Sequence, residues 1–167
     1  MFAKVDTFGL TGLNAFSVTV ESSTEKGTPD FRITGLGDAS IQESRQRVIA
    51  AMENSEFSTA KLRAVVNLYP ADVKKSGSSY DLPILISVLT ALGDIRPPED
   101  GDVFIGELSL SGGLAGTAGV LPMVAAAKEK GFKRVFLPFV NVKEASLVRG
   151  IEIYGIHNIR ELASFLS

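Results

Sequence analysis

The chain has 167 residues, 45% of them hydrophobic, a length and composition that bury a sizeable core and fit one domain, or one domain with a small extension. Seventeen basic residues against 19 acidic leave a formal charge of −2, so no global field draws the protein to nucleic acid or to an anionic membrane, and only a local basic patch would do so. With no cysteine and one histidine, His157, the sequence excludes a disulfide scaffold, a thiolate nucleophile, thiolate-ligated metals and a histidine-rich metal site.

The first residues, MFAKVDTFGL, contain one lysine and no continuous apolar run of signal-peptide length, which predicts a mature chain that starts here. The longest strongly apolar stretch, residues 82–92 (LPILISVLTAL), is about half of what a bilayer span needs and reads as a buried helix. A soluble, cytoplasmic protein with no membrane partner is expected.

In chain order, residues 14–21 (NAFSVTVE) alternate and are rich in β-branched side chains, which predicts a strand, with Lys4 to Phe8 as its partner. A turn at 27–30 (GTPD) precedes a short strand at 31–33, and Gly35-Leu36-Gly37 breaks it. Ser40 and Glu43 have capping-box spacing, and Ile41, Ser44, Val48, Ala51 and Met52 recur at helical intervals, so a helix is predicted over about 39–54. Glu43 and Arg47 stand i,i+4 on its polar side, an ordinary solvated pair contributing about 0.2–0.5 kcal/mol. Residues 63–69 (RAVVNLY) read as a strand ended by Pro70, and 71–79 as a polar loop.

Asp81 is expected to cap the following helix, with Pro83 in its first turn, and residues 84–92 are apolar nearly all round, which means burial on several sides. Residues 102–110 (DVFIGELSL) predict one strand, followed by the glycine-dense segment 111–119. A helix starts at Pro122 and ends at Gly131, with Lys128 and Lys130 at the negative end of its dipole. Residues 134–138 and 151–154 are strands, and Asn141 with Glu144, and Asn158 with Glu161, open two short helices by capping-box spacing. Strands first, then helix and strand in alternation, give a single mixed α/β (α+β) domain without internal repeats, heptads or low-complexity tracts. Flexible points are expected at 22–29, 71–79 and 96–101.

A phosphate-binding loop of the form GxxxxGK[ST] is missing, and the glycines of 112–119 lack the lysine and hydroxyl it requires, so a tight turn is expected there and no ATP binding by this chain alone. Glu43, Asp72, Asp81 and Glu107 are the carboxylates placed for acid/base work, a role that requires them to converge. Capping explains two of them more simply, contributing about 1 kcal/mol at Asp81. His157, beside Asn158 at a helix start, reads as a surface histidine. Basic residues cluster at Arg45 and Arg47, Lys61 and Arg63, and Lys74 and Lys75, which makes these six the candidates for DNA or partner contact, with scattered surface charge as the alternative. Only Phe57, Tyr69 and Tyr80 lie near them to stack on bases.

Four stretches, FRITGLGD at 31–38, SIQESRQRVIAAMENS at 40–55, VVNLYPADVKKSGSSYDLPI at 65–84 and GELSLSGGLAGTAGVLP at 106–122, resemble the N-terminal domain of the ComM/YifB family of magnesium-chelatase-like AAA+ ATPases. The resemblance runs over nearly the whole chain and departs from the family at Gly37, where a proline is usual, and at Ala115, where an arginine is common. It implies a Lon-protease-like fold, in the superfamily of the second domain of ribosomal protein S-five, spanning 1–167 ahead of an AAA+ module that lies outside this chain. That module would bind Mg-ATP, be the partner of this domain, and form a homo-oligomer in the full protein, a motor of the branch-migration helicase type. The fragment itself would hold no cofactor or metal.

Lon-type proteases use a serine and a lysine held neutral to take its proton. By register with the Lon pattern, the serine position falls on Asp81 and the lysine position on Met123, residues that cannot run that chemistry. Lys128 lies five residues beyond Met123, about 7.5 Å along a helix. The resemblance therefore implies a non-catalytic accessory domain for ring assembly or DNA engagement; the alternative is an atypical Ser/Lys peptidase of the same fold.

Overall fold

The computed structural model describes residues 1–167. Strands β1 (Phe2–Thr11) and β2 (Asn14–Thr24) form an antiparallel hairpin in register from Phe2↔Ser23 to Thr11↔Asn14, and Gly12 turns it at φ 61°. The alternation seen in the sequence sends Val18 and Val20 to one face and Ser17, Thr19 and Glu21 to the other. Next come β3 (Asp30–Thr34), α1 (Ala39–Asn54), β4 (Arg63–Tyr69), α2 (Asp81–Leu92), β5 (Asp102–Phe104), β6 (Glu107–Leu108), β7 (Leu114–Ala115) and α3 (Val120–Glu129). The chain ends with β8 (Arg134–Pro138), a 3-10 turn at Phe139–Asn141, α4 (Val142–Ala145), β9 (Glu152–Ile156) and α5 (Ile159–Phe165).

Seven strands form one sheet in the order β3-β4-β2-β1-β5-β8-β9, antiparallel across β4-β2-β1 and parallel at both ends. The mixed α/β class read from the sequence is the class observed. On one face, Val5, Val20, Val66 and Leu68 pack against α1, α2 and α5 in the larger core. On the other, Phe8, Val103, Val135 and Leu137 pack against α3 and α4 through Val120, Met123, Val124, Ala127 and Ala145. The two layers are unequal in width: over β3, β4 and the outer part of β2 the second face is left open, with Val65 and Tyr69 about half exposed.

Four local expectations are corrected. The cap of α1 is Asp38, whose carboxylate accepts from the Ile41 amide, while Ser40 donates its hydroxyl to Asp38 instead of capping. The strand expected over 102–110 breaks at Gly106, because its amide bonds the Ser79 carbonyl and its carbonyl takes the Leu82 amide, drawing the chain out of the sheet onto the start of α2. Helix α3 begins at Val120, behind Gly119 in the left-handed region (φ 75°), two residues ahead of Pro122. Asn141 does not cap α4; its side chain bridges to the Thr117 backbone. Asn158 caps α5 as expected, accepting from the Glu161 amide at 2.9 Å. No helix is long and apolar enough to cross a membrane.

Candidate functional site

The segment 75–81, with the helix it opens, carries the densest polar chemistry of the molecule. Asp81 stands inside the first turn of α2, not at its cap, which is Tyr80 with no side-chain bond. The carboxylate is fully buried and saturated: Oδ1 accepts from Ser44, Oδ2 accepts from the Leu108 amide at 3.0 Å, and Arg47 grips both oxygens with Nε at 2.7 Å and Nη2 at 3.0 Å. A bidentate guanidinium–carboxylate pair of this kind is among the stronger polar contacts available. Burial pushes the Asp81 carboxyl up, and the bonds from Arg47, Ser44 and Leu108 oppose it. The same pair holds the Arg47 guanidinium above its ordinary value.

Two of the four carboxylates flagged in the sequence, Asp81 and Glu43, therefore contact one guanidinium. Glu43 lies 3.7 Å from Arg47, and Glu107, adjacent in sequence to Leu108, adds to the field on it. Asp72 lies elsewhere, near Lys75. The expected Glu43–Arg47 surface pair is thus a minor contact of an arginine that reaches inward to Asp81. Its position carried a signal: Arg47 stands i+3 from Ser44, on the border of the buried stripe.

Lys75 corrects the sequence reading further. Expected as a DNA contact, it is fully buried, and its ammonium donates to the backbone carbonyls of Gly35 and Leu68, each at 2.8 Å, and of Pro70. Its own amide and carbonyl bond Leu36 and Asp38, so one lysine ties the loop before α1 to the end of β4. Close approach is what requires glycine at 35, where φ is 105° and a Cβ would collide with the Leu68 carbonyl. Burial lowers the ammonium's pKa from its ordinary value. Nothing in a polar loop sequence tells which of two adjacent lysines turns inward; Lys74 is the exposed one.

The remaining basic candidates do not gather into one patch with these two. Arg45 donates to the Phe31 carbonyl at the β3 edge, Arg63 pairs with Glu25 at 3.6 Å and donates to the Thr28 carbonyl, and Lys61 is exposed without an ion pair.

A cleft of about 380 Å³ opens where the loop before α2 faces the loop before α3. Ser78, Ser79, Glu107, Thr117 and Met123 line it, and Ser78 donates its hydroxyl to the Glu107 carboxylate. Met123, the position that register with the Lon pattern assigns to the lysine, stands on the cleft wall. Asp81 does not line the cleft: its side chain turns into the core, and the hydroxyls at that end belong to Ser78 and Ser79. Of the two positions marked by register, only Met123 lines the cleft. Lysine side chains are missing from the lining.

Comparisons with known proteins point to one family. The family model described as subunit ChlI of Mg-chelatase matches residues 20–141. An uncharacterized protein of Mycobacterium tuberculosis is 40% identical over 157 residues, covering 93% of this chain and 31% of that protein. The competence protein ComM of Haemophilus influenzae is 34% identical over 157 residues, with the same two coverages. The DNA repair protein RadA of Bacillus subtilis is 35% identical over 89 residues, 53% of this chain and 19% of that protein. The chain spans about a third of the length of the curated relatives it matches along most of its own length. On the family match, which runs from within the second hairpin strand to the turn before α4, the chain belongs to the magnesium-chelatase ChlI-subunit family.

Proposed function

We propose that the chain is a non-catalytic accessory domain of a longer, magnesium-chelatase-like AAA+ protein, supporting ring assembly, DNA engagement or both in a competence- or recombination-related motor. The observation that carries this reading is the state of the charged groups beside the cleft. Arg47, Asp81 and Lys75 all bond to other parts of the fold, and the cleft lined by Ser78, Ser79 and Met123 holds no lysine, the base that a Ser/Lys hydrolase needs. ComM is named for competence and RadA for DNA repair, which favours DNA as the polymer served. Mg-ATP would bind the AAA+ module of the same protein, outside these 167 residues, in the cytoplasm.

With Arg47 and Lys75 engaged internally, Arg45, Lys61, Arg63 and Lys74 are left as DNA contacts. A salt titration with duplex DNA tests this: loss of one phosphate contact lowers the salt slope by about 0.9. Lys61→Ala and Lys74→Ala are expected to show that loss, and unchanged slopes would remove both from the interface.

A second reading, an atypical serine hydrolase, draws on the Ser78–Glu107 bond, in which a carboxylate stands where a base would. A fluorophosphonate probe separates the two. The accessory reading expects no labelling; labelling of one serine, lost on Ser78→Ala or Ser79→Ala, would establish the hydrolase.

A further inference from the structure

The face of the sheet that carries α3 and α4 is covered over β5, β8 and the later part of β1 and open over β3, β4, the outer part of β2 and the start of β1. The open half is not neutral. Glu21 faces Lys4 and Asn67 across the strands, Thr19 donates to Asp6 at 3.1 Å, and Asp100 from the loop before β5 lines the same cleft with Asp6, Glu21 and Tyr69. Asp6, Glu21 and Asp100 have no ion-pair partner, and burial together with Asp100 raises the Asp6 carboxyl's pKa. Of the other cations on this floor, Arg32 is already paired with Asp30 at 2.8 Å and Arg63 with Glu25 at 3.6 Å. Among these groups stand the exposed side chains of Val65 and Tyr69.

The covered half has the opposite sign. Residues 120–151 contain six basic side chains against two acidic, Glu129 and Glu144, a net charge of +4 in a chain whose total is −2. Arg134 among the six is bound to Asp102; Lys128, Lys143 and Arg149 are exposed and have no ion pair. Lys128 lies against Gly150, which makes it a neighbour of Arg149, and the exposed Leu121 and Leu147 belong to the same pair of helices and the loop that follows. An acidic floor with apolar side chains thus matches a basic helix layer with apolar side chains.

We propose that the open half-sheet of one copy receives the α3–α4 layer of a second copy, head to tail. This rests on the ring-assembly part of the function proposed above and identifies the surfaces that perform it. Because the two patches differ, the contact is heterologous and repeats from copy to copy, closing into a ring or continuing as a filament. The helix layer missing over β4 and β3 is then supplied by the neighbour. An acidic protein segment or nucleic acid on the α3–α4 layer is the competing occupant.

Sedimentation of the chain with two charge-reversed variants tests the proposal. Lys128→Glu/Lys143→Glu/Arg149→Glu makes both surfaces acidic, and Glu21→Lys/Asp100→Lys makes both basic; far-UV circular dichroism checks that each folds. The wild-type chain is expected to self-associate at low salt and to dissociate at about 1 M salt, where charges are screened beyond about 3 Å. Each variant alone stays monomeric, and an equimolar mixture recovers association, since every contact then joins opposite signs. A wild-type chain that stays monomeric at low salt overturns the proposal. So does association that both variants retain, or a mixture that fails to recover it. Serine labelling in the fluorophosphonate experiment bears on the accessory reading alone, so the two failures are distinguishable.

Discussion

The two halves of the molecule handle charge in opposite ways. Around α1 and α2, ionised groups are turned inward: Asp81 and Lys75 are fully buried, and Arg47 reaches in to meet the first. Around α3 and α4 the core is apolar throughout, with Phe8, Val103, Val135 and Met123 at its centre and the lysines outside. An apolar layer tolerates exchange among side chains of similar volume, whereas a buried charge accepts only the geometry that supplies all of its partners. The first half therefore fixes the loops 35–38, 68–81 and 106–108 relative to one another, and the second supplies burial without that specificity. Buried ion pairs are weak sources of net stability but costly to break by removing one partner.

Breaking this contrast at its strongest point gives the largest effect. Arg47→Met leaves the buried Asp81 carboxylate without its cation and is expected to cost about 3–5 kcal/mol in urea unfolding. Lys75→Met removes the donor shared by three buried or half-buried carbonyls and is expected to cost about 3 kcal/mol, with proteolysis first cutting the loosened 35–38 or 70–77 loops. Met123→Leu, a volume-conserving change in the apolar half, is expected to cost less than about 1.5 kcal/mol. Glu43→Ala removes only the 3.7 Å outer contact of Arg47 and is expected to change stability by about 0.3 kcal/mol.

Lys75 also sharpens the contrast through pH. Its folded-state pKa lies below the ordinary 10.5, so between those two values the unfolded chain binds more protons than the folded one. Stability contributed by this group therefore rises with pH through that window and is complete above 10.5. Urea midpoints measured across the alkaline range are expected to carry this rising component in the wild type and to lose it in Lys75→Met. An identical pH slope in both proteins would mean that the ammonium titrates as in water.

Much of the scaffold was legible because periodicity reports burial directly. The stripe Ile41, Ser44, Val48, Ala51 and Met52 recovered α1, and the all-round apolar run recovered α2. What the sequence concealed was direction within polar segments. Lys74 and Lys75 are indistinguishable in composition, yet one is exposed and the other is the most buried cation of the fold. Asp81 reads as a cap because caps explain most aspartates at helix starts; its pairing with Arg47 joins residues 34 positions apart, and no local pattern encodes that. The break at Gly106 escaped for the same reason: 102–110 alternates well enough for a strand, and only the approach of α2 diverts it. Of the six basic candidates, Arg47 and Lys75 are the two whose charges the fold turns inward.

A double-mutant cycle on Arg47→Met and Asp81→Leu, read by urea unfolding, tests most directly the claim that this pair organises the start of α2. If the pair acts as a unit, the double variant costs no more than the worse single one, giving a coupling of about 2–3 kcal/mol. Additive losses, with the double variant costing the full sum of the two, would contradict it and return Arg47 to the surface as a residue free to bind DNA.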